Sequence, residues 1–116
     1  MEKKNLDWKH IGFAYHTTDY RYVADYKDGK WQEGYLSDSP TVVLNECAGI
    51  LQYCQEVFEG LKAYETADGR IVTFRSDLNA DRMYHSAERM EMPPFPRERF
   101  IEAVEKVVKA NEAWVP

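Results

Sequence analysis

The chain has 116 residues, 44% of them hydrophobic, which suits one compact domain with a moderate core and is too short for two. Its 20 acids against 15 bases leave a net charge of −5, which opposes a nucleic-acid or polyanion partner. Any phosphate it holds must therefore be met by a local arginine. No apolar run approaches the roughly 20 residues of a membrane span, and Met1 to His10 is charged, without the apolar stretch of a signal peptide.

The first periodic segment runs from Thr18 to Tyr26. Thr18, Tyr20, Tyr22, Ala24 and Tyr26 fall on one face, and the period of two predicts a strand. Lys27-Asp28-Gly29-Lys30 reads as a turn and Trp31 to Leu36 as the returning strand of a hairpin. Ser37-Asp38-Ser39-Pro40 breaks the chain before the β-branched run Thr41 to Leu44. Phe58 to Tyr64 is again extended, and Ala67-Asp68-Gly69 turns it into Arg70 to Arg75, a second hairpin.

The period then changes. Leu78, Met83, Ala87 and Met90 lie near helical spacing, with Ser76 or Asp77 as the expected cap. Met92-Pro93-Pro94-Phe95-Pro96 stops that helix. A second begins near Pro96, with an apolar face of Phe100, Val104, Val107 and Val108. Strands first and helices afterwards predict an α+β domain with a largely antiparallel sheet. Trp114-Val115-Pro116 ends the chain without a polar tail, which reads as a cut within a longer polypeptide.

Common catalytic signatures are missing: no Gly-x-Ser-x-Gly elbow, no Walker loop, no His-Glu-x-x-His, no dinucleotide glycine motif. His10, His16 and His85 lack metal-ligand spacing and read as surface residues, so no metal is expected. Cys47 and Cys54 form neither a Cys-x-x-Cys pair nor a metal-type spacing, which suits two reduced thiols in a cytoplasmic protein.

One stretch exceeds what core packing requires: Tyr53-Cys54-Gln55-Glu56-Val57-Phe58-Glu59-Gly60-Leu61-Lys62-Ala63-Tyr64. It is followed by Phe74-Arg75, Asn79-Ala80-Asp81-Arg82-Met83, Ser86-Ala87-Glu88-Arg89-Met90 and Met92-Pro93. In this order the runs resemble the signature of branched-chain amino-acid aminotransferases, enzymes that carry pyridoxal 5'-phosphate (PLP). Phe13, Thr18-Asp19 and the terminal Trp114-Val115-Pro116 extend the resemblance from about Ile11 to Pro116. Ser76 stands where that family usually has proline, and Thr17 where it has an aromatic. Neither departure removes a group the chemistry needs.

The resemblance implies the small α/β domain of a fold-type IV aminotransferase: a twisted, mainly antiparallel sheet with two covering helices. It implies that residues 1–116 are one N-terminal domain, and that the lysine carrying the cofactor lies in a second domain outside this sequence. It assigns Arg82, the arginine of Asn-x-x-Arg, to the cofactor phosphate. A guanidinium suits that role as a permanently charged fork of donors. It assigns Tyr53, Phe58 and Phe13 to the pocket for the substrate's aliphatic side chain, where stiff rings make an apolar slot. Taken alone, Arg82, Ser86 and Arg89 recur at helical spacing as a solvated face would, and the aromatics suit a core.

Lys62 is expected to pack its stem and send its head to water rather than to act in catalysis. The complete enzyme implied is a cytoplasmic homodimer acting on branched-chain amino acids and 2-oxo acids. Two other readings stand beside it: a related aminotransferase preferring methionine or aromatic substrates, and a non-catalytic binding module.

Overall fold

A computed structural model describes residues 2–116. Two hairpins precede the two long helices. In the first, β1 (Arg21–Val23) pairs antiparallel with β4 (Tyr35–Ser37), and β2 (Tyr26–Lys27) with β3 (Lys30–Trp31). Asp28 and Gly29 turn its tip, both at positive φ (54° and 76°), as a two-residue primed turn requires. In the second, β5 (Ala63–Glu65) pairs with β6 (Ile71–Thr73).

The long strand expected over Thr18 to Tyr26 is interrupted. Val23 pairs with Tyr35 and Tyr26 with Trp31, so Ala24 and Asp25 stand opposite Gln32, Glu33 and Gly34. The extra residue is a β-bulge, which bends the hairpin and splits its ladder. Gly34 is needed there, because a Cβ at that position would overlap the Tyr22 ring. The expected single sheet is accordingly three separate two-stranded ladders. Thr41 to Leu44 is exposed and joins none of them.

Three helices follow the expectation in part. The short α1 (Gly49–Tyr53) was not anticipated. Its local signal is Asn45, whose Oδ1 accepts from Cys47 N at 2.8 Å and turns the chain just ahead of the helix. Helix α2 (Ser76–Arg89) starts without a side-chain cap, so neither Ser76 nor Asp77 plays the predicted role. Arg75 precedes it in the left-handed region (φ 50°) and clamps the Asp77 carboxylate at 2.7 and 2.9 Å. Asp77 still sits favourably in the first turn, near the positive end of the helix dipole.

The buried residues of α2 are Asn79, Ala80 and Ala87; of the expected face, Ala87 is buried and Met83 half-buried, whereas Leu78 and Met90 are exposed. At 100° per residue, Leu78 lies about 200° from Ala80, on the opposite side. Helix α2 ends in a Schellman motif: Met92 N donates to Ala87 O at 2.9 Å and Glu91 N to Glu88 O at 3.1 Å, with Glu91 at φ 52°.

Helix α3 (Arg97–Ala110) begins one residue after Pro96, as predicted, and packs on α2. Arg97 pairs with Asp81 and lies 3.8 Å from the Tyr84 ring centroid, joining the two helices. The hairpin tip docks on the linker between them. Trp31 Nε1 donates to Pro94 O at 2.9 Å, and its ring meets Phe95 edge-on. At the far end of α3, buried Asn111 accepts from Tyr20 N and donates to Tyr20 O, at 2.9 and 2.8 Å.

Among the described residues the buried hydrophobic side chains are small: Ala80, Ala87, Ala113 and Val115. The α+β class is observed, with short antiparallel ladders and helices α2 and α3 packed on each other.

Candidate functional site

The segment leading into β5 alternates strictly. Val57, Glu59, Leu61 and Ala63 are half-buried, while Phe58, Gly60, Lys62 and Tyr64 are exposed. A period of two is the pleat of an extended chain, so one face meets helix α2 and the other faces outward. A carboxylate thereby points at the helix, where it needs partners.

It has three. Arg82 Nε donates to Glu59 Oε1 at 2.6 Å and Nη2 to Oε2 at 2.6 Å. Asn79, one helical turn before Arg82 and itself buried, donates its Nδ2 to Glu59 Oε2 at 2.9 Å and to Gly60 O at 3.0 Å. The Glu59 side chain is only 7% exposed and that of Arg82 is 63% exposed. The two hydrogen bonds from Arg82, followed by that from Asn79, hold the Glu59 carboxyl below its ordinary range despite the opposing effect of burial. The same pairing raises Arg82 further, so its charge is permanent.

The geometry divides the guanidinium in two. Nε and Nη2 form the side fork, and Glu59 takes it. Nη1 and the second proton of Nη2 form the end fork, which has no partner among the described residues and belongs to an exposed side chain. A phosphate dianion fits that end fork, which offers two parallel donors of fixed charge. Arg82 is therefore free to hold an anion such as a phosphate at that edge.

The three aromatic candidates are all at the surface. Tyr53, at the end of α1, is 84% exposed, and Phe58 is 90% exposed. Phe13 lies before the first strand and is fully exposed. None of the three packs against another aromatic ring among the described residues. A cleft of 440 Å³ lies beside the β5 segment, lined by Gly60, Leu61, Lys62, Tyr64, Phe74 and Asn79. Asn79 thus borders both the cleft and the Glu59–Arg82 pair. Lys62 is exposed there with no bonded partner recorded among the described residues, as expected of a lysine whose head is in water.

Glu59 is the residue that reading the sequence missed. Its signal was its inward phase in the alternation, opposite to Phe58, combined with the arginine of the following helix. Arg75 and Arg89 are exposed, Arg75 being engaged with its neighbour Asp77. His10 and His85 make surface pairs with Asp7 and Glu88, and Cys47 and Cys54 are free and exposed. No helix among the described residues is long and apolar enough to cross a membrane.

Known proteins similar to this chain include three informative relatives. A Haemophilus influenzae protein named branched-chain-amino-acid aminotransferase is 49% identical over 112 residues, covering 97% of this chain and 33% of the relative. A Helicobacter pylori protein of the same name is 44% identical over 112 residues, covering 97% of this chain and 33% of its own length. A methionine aminotransferase of Arabidopsis thaliana is 42% identical over 113 residues, covering 97% and 32%. The chain spans about a third of the length of the curated relatives it matches. No family model matches it.

Proposed function

We propose that this chain, a homologue of branched-chain-amino-acid aminotransferases over 97% of its length, is the N-terminal small domain of a PLP-dependent transaminase. Residues 1–116 form that domain, and the lysine that carries the cofactor belongs to a second one. The complete enzyme moves an amino group between leucine, isoleucine or valine and 2-oxoglutarate, as a cytoplasmic homodimer. Bound PLP supplies the electron sink for charge developing at the substrate's α-carbon. This chain's part is binding and orientation.

Arg82 grips the phosphate through its end fork. Tyr53, Phe58 and Phe13 wall the slot for the aliphatic side chain once the remainder of the enzyme closes over them. Discrimination among the three substrates is weak, because one methylene in such a slot is worth only about 1–3 kcal/mol. Lys62 takes no part in proton transfer.

The observation that carries this reading is the free end fork of Arg82, fixed in place within the Asn79-x-x-Arg82 motif. A methionine preference is the second reading, favoured by the 42% identity to a methionine aminotransferase. A panel of amino donors, run on the full-length protein with 2-oxoglutarate, separates the two. Turnover highest with leucine, isoleucine and valine is expected. Highest turnover with methionine selects the second reading, and no transfer from any aliphatic donor overturns both.

A further inference from the structure

We infer that Glu59 is a positioning residue for the cofactor phosphate, acting through Arg82 by occupying its side fork so that only the end fork meets the phosphate. The inference rests on the proposed phosphate role of Arg82.

An exposed arginine is a poor anchor by itself. Its long stem has several rotatable bonds, and ordering them when the ligand arrives opposes binding. Here the ordering is already done. Two bonds of 2.6 Å fix the guanidinium plane against a carboxylate that is only 7% exposed. The carboxylate is fixed in turn by Asn79, whose Nδ2 ties it to the backbone carbonyl of Gly60. Strand segment and helix are thus joined through one carboxylate, and the end fork is aimed by a rigid frame rather than by a free side chain.

Two effects oppose each other. The negative charge of Glu59 lies near the incoming phosphate and repels it, while the fork it holds is pre-aligned. The guanidinium stands between the two anions, so the phosphate meets the cation at hydrogen-bond distance and the carboxylate only beyond it. Attraction and alignment therefore outweigh the repulsion.

Glutamine is the informative replacement. Glu59→Gln keeps the size but offers one oxygen and one amide nitrogen, and that nitrogen opposes a donor of Arg82 or Asn79. The bidentate clamp cannot re-form.

The test titrates the full-length apoprotein with PLP and with pyridoxal, which lacks the phosphate. Glu59→Gln is expected to weaken PLP about tenfold and to change pyridoxal less than twofold. Arg82→Ala is expected to weaken PLP more, again sparing pyridoxal. If Arg82→Ala weakens PLP and Glu59→Gln leaves it within twofold, the positioning role is wrong and the phosphate reading survives. If Arg82→Ala changes nothing, the phosphate reading fails and takes this inference with it.

The wild-type protein supplies a second measurement should the glutamine variant misfold. On adding PLP, the NMR signals of the Arg82 Nη protons should move while the Nε–H signal keeps its position. Movement of Nε–H, showing that the phosphate displaces Glu59 from the side fork, overturns the inference.

Discussion

Arg82 divides its donors between an internal carboxylate and an open edge, and this division can be probed one residue at a time. Glu59 titrates below its ordinary value because Arg82 first, and Asn79 after it, bond its charged form. A carboxyl with a lowered folded-state value stabilises the fold above its unfolded value, and that stabilisation is lost as pH falls through the folded value. Urea unfolding followed from about pH 5 to pH 3 should therefore show a steeper loss of stability in the wild type than in Glu59→Gln. Parallel pH profiles would show that the pair contributes nothing to folding.

Lys62 gives the complementary test. It is exposed on the outer face of the β5 segment, away from the Glu59 clamp. Borohydride treatment of this 116-residue chain with PLP should give no stoichiometric modification of Lys62, and no transaminase activity should be measurable. Specific labelling of Lys62, found by peptide mapping, would reverse its assignment. Arg82 was legible in the sequence through its motif. Glu59 was not, because its partner is 23 residues away and only the fold joins them.

Among the elements, local chemistry was readable wherever one residue type settles the backbone. Asp28-Gly29 announced its turn, and Pro96 announced the start of α3. The bulge opposite Ala24-Asp25 was not readable, since it depends on Tyr22 seating its ring against Gly34 across the hairpin. Nor was the buried side of α2, where the small Ala80 and Ala87 rather than Leu78 are covered. These features yield two stability predictions.

Gly34→Ala forces a Cβ into the Tyr22 ring and should destabilise the domain by about 1–3 kcal/mol, as overpacking does. Glu91 occupies the left-handed position of a Schellman motif, where a side chain costs energy and glycine does not. Glu91→Gly should therefore stabilise by about 0.5–1 kcal/mol in chemical denaturation. A loss of stability in Glu91→Gly would mean that the glutamate makes an interaction outweighing its backbone strain.

The whole molecule is looser than a finished domain of its size. Its radius of gyration is 15.7 Å, against about 13 Å for a compact chain of this length. Two-stranded ladders are marginal alone, and these three do not join into one sheet. Grooves of 420 and 510 Å³ flank α3, and Val104 lines both. Phe58, Phe74 and Tyr53 add apolar surface outside. Open strand edges and apolar patches find partners, and a net charge of −5 repels only mildly in salt. The isolated chain should therefore form dimers or larger species between micromolar and millimolar concentration. Sedimentation velocity showing a clean monomer throughout that range would contradict this and favour a self-sufficient binding module.

The central claim, that Arg82 holds the cofactor phosphate, is tested most directly by PLP titration of the full-length apoprotein carrying Arg82→Ala or Arg89→Ala. Both substitutions remove one exposed arginine from the same helix, so the change in net charge is matched. The account predicts that Arg82→Ala weakens PLP by more than tenfold while Arg89→Ala leaves it within twofold of wild type. Equal PLP affinity in the two variants would contradict it.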